Sequence, residues 1–280
     1  MEIKEIREKF KESFNNVIEN SILTSFLVLV LLTIVVITLS LPYYIENFHA
    51  YYGQVLVEAH GMLFDIAVIG ILIFWLNRNG EMRQRIRTYK DEIDDFRLWE
   101  SEEAAFRTVG NIKRLNRNKI TDVNLVNCYL GKTNLNYVNL KGSNLNNANV
   151  SSSFLIECNL NEARLNQTNL ENSNLNQATL IGAFVSGANF KDGFMIKAVF
   201  DKAFLIKANF ENAMLMEASF KDCYLTGANF DNANLYKADL RGANGLTIEQ
   251  LANVKSLYLA KFDKELEEKV ARELPHLKDA

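Results

Sequence analysis

The sequence predicts a solenoid of short strands, preceded by two membrane-spanning helices and capped by helices at its C-terminal end. Three observations indicate this architecture. Residues 22–41 form an uncharged apolar run, residues 78–117 are charged with helical periodicity, and a large apolar residue recurs every five positions within residues 118–242. A fixed short period is typical of a repeat protein in which each unit packs on its neighbours.

Composition supports a protein with a large core and excludes few function classes. The chain has 280 residues, 48% of them hydrophobic, and a formal net charge of -3, so bulk charge does not favour a nucleic-acid partner. Its three cysteines are too few and too scattered for a disulfide framework, and no Cys/His cluster predicts zinc binding. We therefore expect no metal and no cofactor.

The first predicted element after a cytosolic N-terminal helix (residues 1–21) is a membrane span. Residues 22–41 read ILTSFLVLVLLTIVVITLSL and carry no charge. Twenty such residues cross about 30 Å of hydrocarbon in a helix. A cleaved signal peptide has a shorter apolar region and a small-residue cleavage site, so we interpret this run as a retained span.

A second span is predicted over residues 55–76, although Glu58, His60 and Asp65 interrupt its first half. The intervening loop, residues 42–54, contains no Lys or Arg, whereas both outer flanks are basic. By the positive-inside rule the two spans form a hairpin with both termini and the repeats in the cytoplasm. We therefore expect a multi-pass protein of a bacterial inner (cytoplasmic) membrane, in contact with the lipid bilayer.

The ionisable residues of the second span have two interpretations. Glu58 and Asp65 are seven residues apart, so they share a helix face, with Asp65 about 11 Å deeper. Ionisable groups at depth usually face a bundle interior or a wet cavity, so these two and His60 could form an ion path or a proton-linked site. Alternatively they are polar contacts between helices of an oligomer, or lie among lipid headgroups. A pore would need several copies around an axis.

Residues 77–117 are predicted to form a charged helical linker that caps the repeats. The apolar residues of its first part recur at steps of three or four, as in an amphipathic helix. They are Met82, Ile86, Tyr89, Ile93, Phe96 and Trp99. A second helix is expected after Ser101, a residue type that caps helix N-termini. The apolar face of that helix would contain Ala105, Val109, Ile112 and Leu115.

The five-residue period has 25 consecutive centres from Ile120 to Leu240, and each is Leu, Ile, Val, Phe or Met. The residue two positions before each centre is small in nearly every unit, and Asn commonly stands one position before it. This A-N-L-x-x pattern resembles the pentapeptide-repeat family. The resemblance implies a right-handed quadrilateral β-helix over residues 118–245, with four units per coil and about six coils.

Four units per coil would stack residues that are twenty apart. Phe190, Phe210 and Phe230 should then form one internal stack, with Phe200 and Phe220 in another on the opposite face. All three cysteines fall at the small inward position, so we interpret them as packing residues. They are Cys128, Cys158 and Cys223.

The C-terminal residues 246–280 are predicted to form helices that cover the last coil. Thr247 and Gln250 have the spacing of a capping box, and Leu251, Val254, Leu257 and Tyr258 would be the apolar face of the helix that follows. A second helix is expected between Asp263 and Pro275.

Apolar residues at outward positions of the repeats predict interaction surfaces, since exposed apolar patches usually mark contacts. They form two stripes on opposite predicted faces. The Met214 stripe consists of Phe154, Ile156, Phe194, Ile196, Met214, Met216 and Tyr236. The Phe204 stripe consists of Phe184, Phe204, Ile206 and Tyr224. Either stripe could bind a partner or a second copy, or could be covered by the chain's own helices.

Two hypotheses for function follow. In the first, the chain is a non-enzymatic, membrane-anchored scaffold that binds itself or a protein partner. In the second, it is an oligomeric membrane effector or channel-like protein. An enzyme has no supporting residues, because no His lies between residues 61 and 275 to act as a base. Some members of the resembled family mimic DNA with an acidic surface, but residues 118–245 carry eleven acidic and eleven basic residues, so we expect no such role and no nucleic acid.

Overall fold

The computed structural model describes residues 29–38, 41, 45 and 48–278. The chain divides into two compact units, Met1–Asn79 and Gly80–Ala280. The predicted N-terminal helix, residues 1–21, lies outside the described residues.

The first unit contains helix α1, described over Leu29–Thr38, and the beginning of helix α2, Phe48–Asp95. Most of the predicted first span outside α1 is not among the described residues. Within them, one helix, over Val57–Asp95, is apolar and long enough by length and composition to cross a membrane, and α1 is a shorter apolar helix. Two complete spans are therefore not shown.

The limits of α2 differ from the sequence prediction at both ends. Residues 48–54, predicted as part of a loop, are helical, and α2 has no break between residues 76 and 77. Hydropathy marks where a chain can enter lipid, but it does not mark where helical hydrogen bonding starts or stops. The only prolines of the chain are Pro42 and Pro275, so no proline interrupts this segment.

In the second unit, the end of α2 packs on the repeats with one apolar face. Ile93 is buried, while Ile86 and Tyr89 are partly buried against the same core. Met82 and Trp99, predicted on this face, are exposed, and α2 ends at Asp95 before Phe96 and Trp99.

Helix α3, Glu102–Arg117, begins as predicted. Ser101 is its N-cap, and the Ser101 Oγ accepts a hydrogen bond from the Ala104 N–H at 3.1 Å. The predicted apolar face, Ala105, Val109, Ile112 and Leu115, is buried. The last three of these belong to the same hydrophobic core as the first repeats, so α3 covers part of the N-terminal end of the column.

The repeats form a column in which residues twenty apart are paired. Parallel bridges join each coil to the next, from Asn124 with Asn144 to Tyr224 with Asn244. Each centre from Leu125 to Leu225 donates its N–H to the carbonyl of the residue nineteen positions later, for example Leu145 to the Arg164 carbonyl at 2.7 Å. The prediction of four units per coil is confirmed by this register.

A tight turn closes every unit and explains why the period is five. In nearly every unit the carbonyl of the centre accepts the N–H three residues later, as between Leu205 and Ala208 at 3.1 Å. After Leu130 and Val150 this N–H donates instead to a serine Oγ of the next coil. The residue two positions after the centre has a positive φ in every unit from Asn127 to Gly242. Most of these residues are Asn, Gly, Lys, Glu, Gln or Asp, and none is β-branched, because a branched Cβ is strained in this conformation.

The centres fill the axis of the column, and its phenylalanines stack as predicted. Phe210 stacks on Phe190 and Phe230 with ring centroids 4.9 and 5.2 Å apart. Phe200 and Phe220 form the opposite stack at 4.9 Å. Rings of the two stacks meet edge to face at 5.7–6.0 Å. The column is therefore a close-packed solid with no channel along these residues.

The C-terminal end differs from the predicted long helix. Helix α4 is only Ile248–Leu251, although the Thr247 N–H donates to Gln250 Oε1 at 3.0 Å as the capping box requires. The chain then resumes the coil, because Asn234 bridges Ser256 and Asp239 bridges Lys261.

In this resumed coil the offset is 22 residues instead of 20, which hid the repeat from sequence periodicity. Leu257 and Phe262 occupy the positions of repeat centres. The predicted helical face of Leu251, Val254, Leu257 and Tyr258 was therefore wrong. Helix α5, Lys264–Glu273, follows N-cap Asp263 and ends before a 3-10 turn, Pro275–Leu277, as predicted.

Candidate interaction surfaces

The column has two apolar faces and two polar faces. We number the faces 1 to 4 after the centres Leu125, Leu130, Leu135 and Leu140, so faces 1 and 3 are opposite. The side chain one position before each centre lies in the middle of a face and forms the bridge to the next coil. On face 1 the apolar bridge residues are Phe184, Phe204 and Tyr224, and on face 3 they are Phe154, Phe194 and Met214.

The Phe204 stripe is an aromatic ladder. Phe184 and Phe204 stack at 5.1 Å, and Phe204 and Tyr224 stack at 4.8 Å, each pair within 2° of parallel. Because the rings stack coil upon coil, they cover one another's flat sides and leave their edges to solvent. Phe184 and Tyr224 are each 43% exposed, and Ile206 extends the apolar area beside them.

The Met214 stripe is longer and less regular. Phe154, Phe194 and Met214 are exposed. Asn174 bridges both Phe154 and Phe194 and so interrupts the stripe. The remaining members are partly buried against their neighbours. They are Ile156, Ile196, Met216 and Tyr236. The Tyr236 ring also stacks on the Tyr258 ring at 5.8 Å, which continues the stripe into the resumed coil.

Neither stripe is covered by the described helices. Asn116 at the end of α3 bonds to the first coil through Asn139, and Gln250 of α4 bonds to the Leu225 and Ala228 carbonyls. These contacts lie at the two ends of the column. The exposed residues of both stripes are therefore not covered by α3, α4 or α5. Covering by the chain's own helices was one of the two alternatives from the sequence.

Two exposed apolar residues of the column were missed by the sequence analysis. Tyr137 is 71% exposed at the turn that follows face 3, and Ile181 is 40% exposed at the turn that follows face 4. Both stand one or two positions after a centre, where polar residues predominate. The same test that identified Met216 would have found them if it had been applied to every unit.

Faces 2 and 4 are polar and internally bonded. On face 2, Asn189, Asn209 and Asn229 form a ladder in which each amide donates to the previous Oδ1 at 3.1 Å. On face 4, the Arg241 guanidinium holds the pKa of the Asp239 carboxyl below its usual value through a charge-assisted hydrogen bond. These polar groups already have hydrogen-bond partners within the column. The exposed apolar surface that is left for a contact lies on faces 1 and 3.

The three cysteines are buried as predicted. Burial raises the pKa of the Cys158 and Cys223 thiols to about 12 and that of Cys128 to about 11. The Cys223 thiol also donates to the Phe200 carbonyl at 2.8 Å. A thiol that stays protonated is a poor nucleophile, so these side chains act in packing.

Glu58, His60 and Asp65 all lie in α2 and are exposed within their own unit. The 48–278 region and the shorter described segments contain no group of three or more His, Cys, Asp or Glu side chains arranged to hold a metal ion.

Comparison with known families identifies the column. Residues 124–161, 155–192, 195–230 and 217–244 match the family model described as pentapeptide repeats. No curated protein matches the chain.

Several solved structures are similar to this chain. HetL, a pentapeptide repeat protein involved in heterocyst differentiation regulation from the cyanobacterium Nostoc sp. strain PCC 7120, is 25% identical over 50% of this chain and 74% of its own, with a TM-score of 0.31. Rfr23 from the cyanobacterium Cyanothece 51142 is 25% identical over 55% and 98%, with a TM-score of 0.30.

QnrB1, a plasmid-mediated fluoroquinolone resistance protein, is 17% identical over 55% of this chain and 84% of its own, with a TM-score of 0.34. With TM-scores below 0.5, these likenesses carry no argument about function.

Proposed function

Because residues 124–192 and 195–244 match the family model described as pentapeptide repeats, we propose that this chain is a non-enzymatic scaffold, anchored in a membrane, which associates with itself or with a protein partner. The anchor is a hairpin of two spans, residues 22–41 and 55–76, in the inner (cytoplasmic) membrane. Both termini and the column lie in the cytoplasm. The observation that supports this function is the pair of exposed apolar stripes on opposite faces of the column.

The stripes favour protein contact because their side chains are not needed to fill the axis of the column. The centres and the small residues two positions earlier already fill the axis and are almost completely buried. Outward positions on faces 2 and 4 are mostly polar, so a strand of this period does not require Phe or Met there. Contiguous apolar area on an otherwise polar surface commonly marks a contact site.

Opposite stripes suggest association into a row. A column with one contact surface on face 1 and another on face 3 can touch two neighbours, and contact of one stripe with the other is heterologous, so it can be repeated. Self-association and binding of a different protein would use the same two stripes. Self-association requires only further copies of this chain.

The size of a face indicates that such contacts are weak alone. About six coils at roughly 4.8 Å spacing and about three residues of width give each face roughly 300 Å². A contact between two faces would bury on the order of 600 Å² in total, below the roughly 1,200 Å² of stable interfaces. Anchoring in one membrane would raise the effective concentration of the columns and so compensate.

The proposal excludes catalysis and a cofactor on chemical grounds. The column offers no histidine to activate a nucleophile, and its cysteine thiols are buried and protonated. The acidic and basic residues of residues 118–245 are balanced, which is why no nucleic-acid partner is proposed.

The test is the mass of the full chain in detergent, measured by light scattering. Replacing Phe194 and Met214 together with Asp should lower the mass toward the monomer, because charges would be buried in the contact. The matched control replaces Thr179 and Val199 with Asp, at the same bridge positions on polar face 4. An unchanged mass for the Phe194/Met214 variant, with the fold intact by circular dichroism, would reject a contact surface.

A second candidate, a channel-like oligomer, is favoured by one specific observation. Glu58 and Asp65 lie in the one helix of the described residues that is long and apolar enough to cross a membrane, on one face at a spacing of seven. In an oligomer these carboxyls could line a path through the membrane, since ionisable groups there usually face a cavity or a partner.

Dye or ion flux in liposomes separates the two functions. A channel predicts measurable flux for the natural chain and a different flux for Asp65→Asn. Equal and negligible leakage from both would reject the channel and leave the scaffold.

A further inference from the structure

The N-terminal edge of the column is closed on two faces and open on the other two. In every later coil, the residue one position before a centre accepts and donates backbone hydrogen bonds with the coil below it, as Asn144 does with Leu125 and Val123. The first coil has no coil below it. Its backbone groups must therefore find other partners or remain exposed.

Side chains of the chain itself close the edge on faces 1 and 4. The Arg97 guanidinium donates to the Val126 carbonyl at 2.5 Å and to the Asn124 carbonyl at 3.2 Å. The Asn116 amide accepts from the Asn139 N–H at 2.7 Å and donates to the Asn139 carbonyl at 2.8 Å. These bonds replace most of those that a preceding coil would make on the two faces, and within the described residues the Asn124 N–H and the Lys141 carbonyl form none.

On faces 2 and 3 no described residue makes the corresponding bonds. The N–H and carbonyl groups of Tyr129 and Asn134, together with the Gly131 and Asn136 carbonyls, form no hydrogen bond with any residue of the described chain. This open edge covers residues 129–136. The turn at Gly131 and Lys132 separates the groups on face 2 from those on face 3, and the groups on each face have the spacing that a short extended backbone satisfies.

A cleft lies beside this open edge. It has a volume of about 910 Å³ and is bounded on one side by Gly131–Asn134 and on the other by α3. Phe106 and Val109 contribute apolar surface to its wall, and Phe106 is 78% exposed. We call this volume the edge cleft.

The charges of the edge cleft leave one cation without a partner. Lys132 is paired with Glu102 at 3.0 Å, and Glu103 is paired with Arg107 at 2.9 Å. Lys113 also lines the cleft, is partly buried, and forms no ion pair or hydrogen bond with the described residues. An ammonium group that lines a cleft without an ion-pair partner favours an occupant that carries a carboxylate.

We infer that the edge cleft binds an extended acidic peptide segment of another polypeptide. Its backbone pairs with the open edge on face 3, through the Asn134 N–H and carbonyl and the Asn136 carbonyl, while an apolar side chain packs on Phe106 and a carboxylate pairs with Lys113. This is strand addition to a sheet edge, in which backbone bonds give affinity and the side-chain contacts give specificity. The site adjoins the N-terminal end of the Met214 stripe, because Asn134 bridges Phe154, but it does not depend on self-association.

Binding of defined peptides to the full chain in detergent tests this inference. The probes are fluorescein-labelled peptides of eight residues, with alternating Val and Thr and a single Glu, Gln or Lys at one Thr position. Fluorescence anisotropy should show the Glu peptide binding about fivefold more tightly than the Gln peptide, with the Lys peptide weakest. A Glu peptide with proline at two alternate positions should not bind, because it lacks the donors for the edge.

Variants of the chain make the test specific. Lys113→Glu should reverse the order of the Glu and Lys peptides, and Phe106→Ser should weaken every peptide. Phe194→Ser, a matched change of an exposed phenylalanine on the Met214 stripe three coils from Asn134, should leave binding unchanged. Absence of saturable binding, or an order of affinities that Lys113→Glu leaves as it was, would overturn the inference. So would a concentration-dependent dimer that Phe106→Ser dissociates, since the occupant would then be a second copy.

Discussion

Phe210 has the most extensive aromatic contacts in the column, and its replacement tests how the axis is held together. Its side chain is completely buried. It stacks on Phe190 and Phe230 and meets the edges of Phe200 and Phe220, at centroid distances of 4.9–5.8 Å. Phe190 is equally buried, but its ring meets only two other aromatic rings, those of Phe200 and Phe210.

Replacing each of these two residues with Leu should give different losses of stability. Leu is the residue at most other centres, so the apolar volume is largely kept and the cavity is small. An aromatic pair contributes roughly 0.5–1.5 kcal/mol beyond burial. Phe210→Leu removes four such pairs and Phe190→Leu removes two, so we expect Phe210→Leu to cost about 1–3 kcal/mol more.

Urea unfolding of the full chain in detergent, followed by circular dichroism, measures this difference. Because repeats can unfold in sections, hydrogen exchange of the amides near residues 190–230 should accompany it. Equal losses for the two variants would refute the idea that ring contacts, beyond simple burial, stabilise this part of the column.

Three further predictions concern the caps and the thiols. Asn116→Ala leaves the Asn139 N–H and carbonyl without hydrogen-bond partners. It should therefore lower the free energy of unfolding by about 2–3 kcal/mol and speed hydrogen exchange in the first coil. Unchanged exchange in that coil would contradict the capping role. Iodoacetamide at pH 8 should leave Cys158 and Cys223 unmodified in the native chain and modify them in urea, as mass spectrometry would show. Burial raises the thiol pKa from 9.0, so below pH 9 the thiols are protonated in both states and the free energy of unfolding keeps its full value. Above pH 9 each thiol ionises only in the unfolded chain, which lowers the free energy of unfolding by about 1.4 kcal/mol per pH unit. A variant with all three cysteines replaced by Ala should show a smaller decline of stability between pH 9 and 11, and an identical decline would contradict the burial.

The repeat register could be predicted from the sequence because its cause is local. The turn after each centre involves only five residues, so the same period both specifies the turn and places the centre inward. The stacks of Phe190 on Phe210 and of Phe184 on Phe204 follow from that period alone. The exposure of the two stripes was predictable for the same reason.

Features that depend on contacts distant in sequence were not predictable. Arg97 reaches Val126, 29 residues away, and its position depends on where α2 ends. The resumed coil at Leu257 and Phe262 was missed because α4 shifts the register by two residues, and periodicity alone cannot follow such a shift. The edge cleft depends on the placement of α3 over the first coil, for which no sequence period exists.

Oxidative cross-linking in native membranes tests the central claim, that the stripes are contact surfaces, most directly. The native thiols are buried and protonated, so a cysteine introduced on the surface is the reactive one. A chain with Met214→Cys on face 3 and Tyr224→Cys on face 1 should give disulfide-linked species heavier than the monomer, because contact between stripes brings two introduced thiols together. A chain with Thr179→Cys and Asn189→Cys, at bridge positions on faces 4 and 2, should not. Monomer alone from the Met214/Tyr224 variant, or equal cross-linking from both variants, would contradict the account.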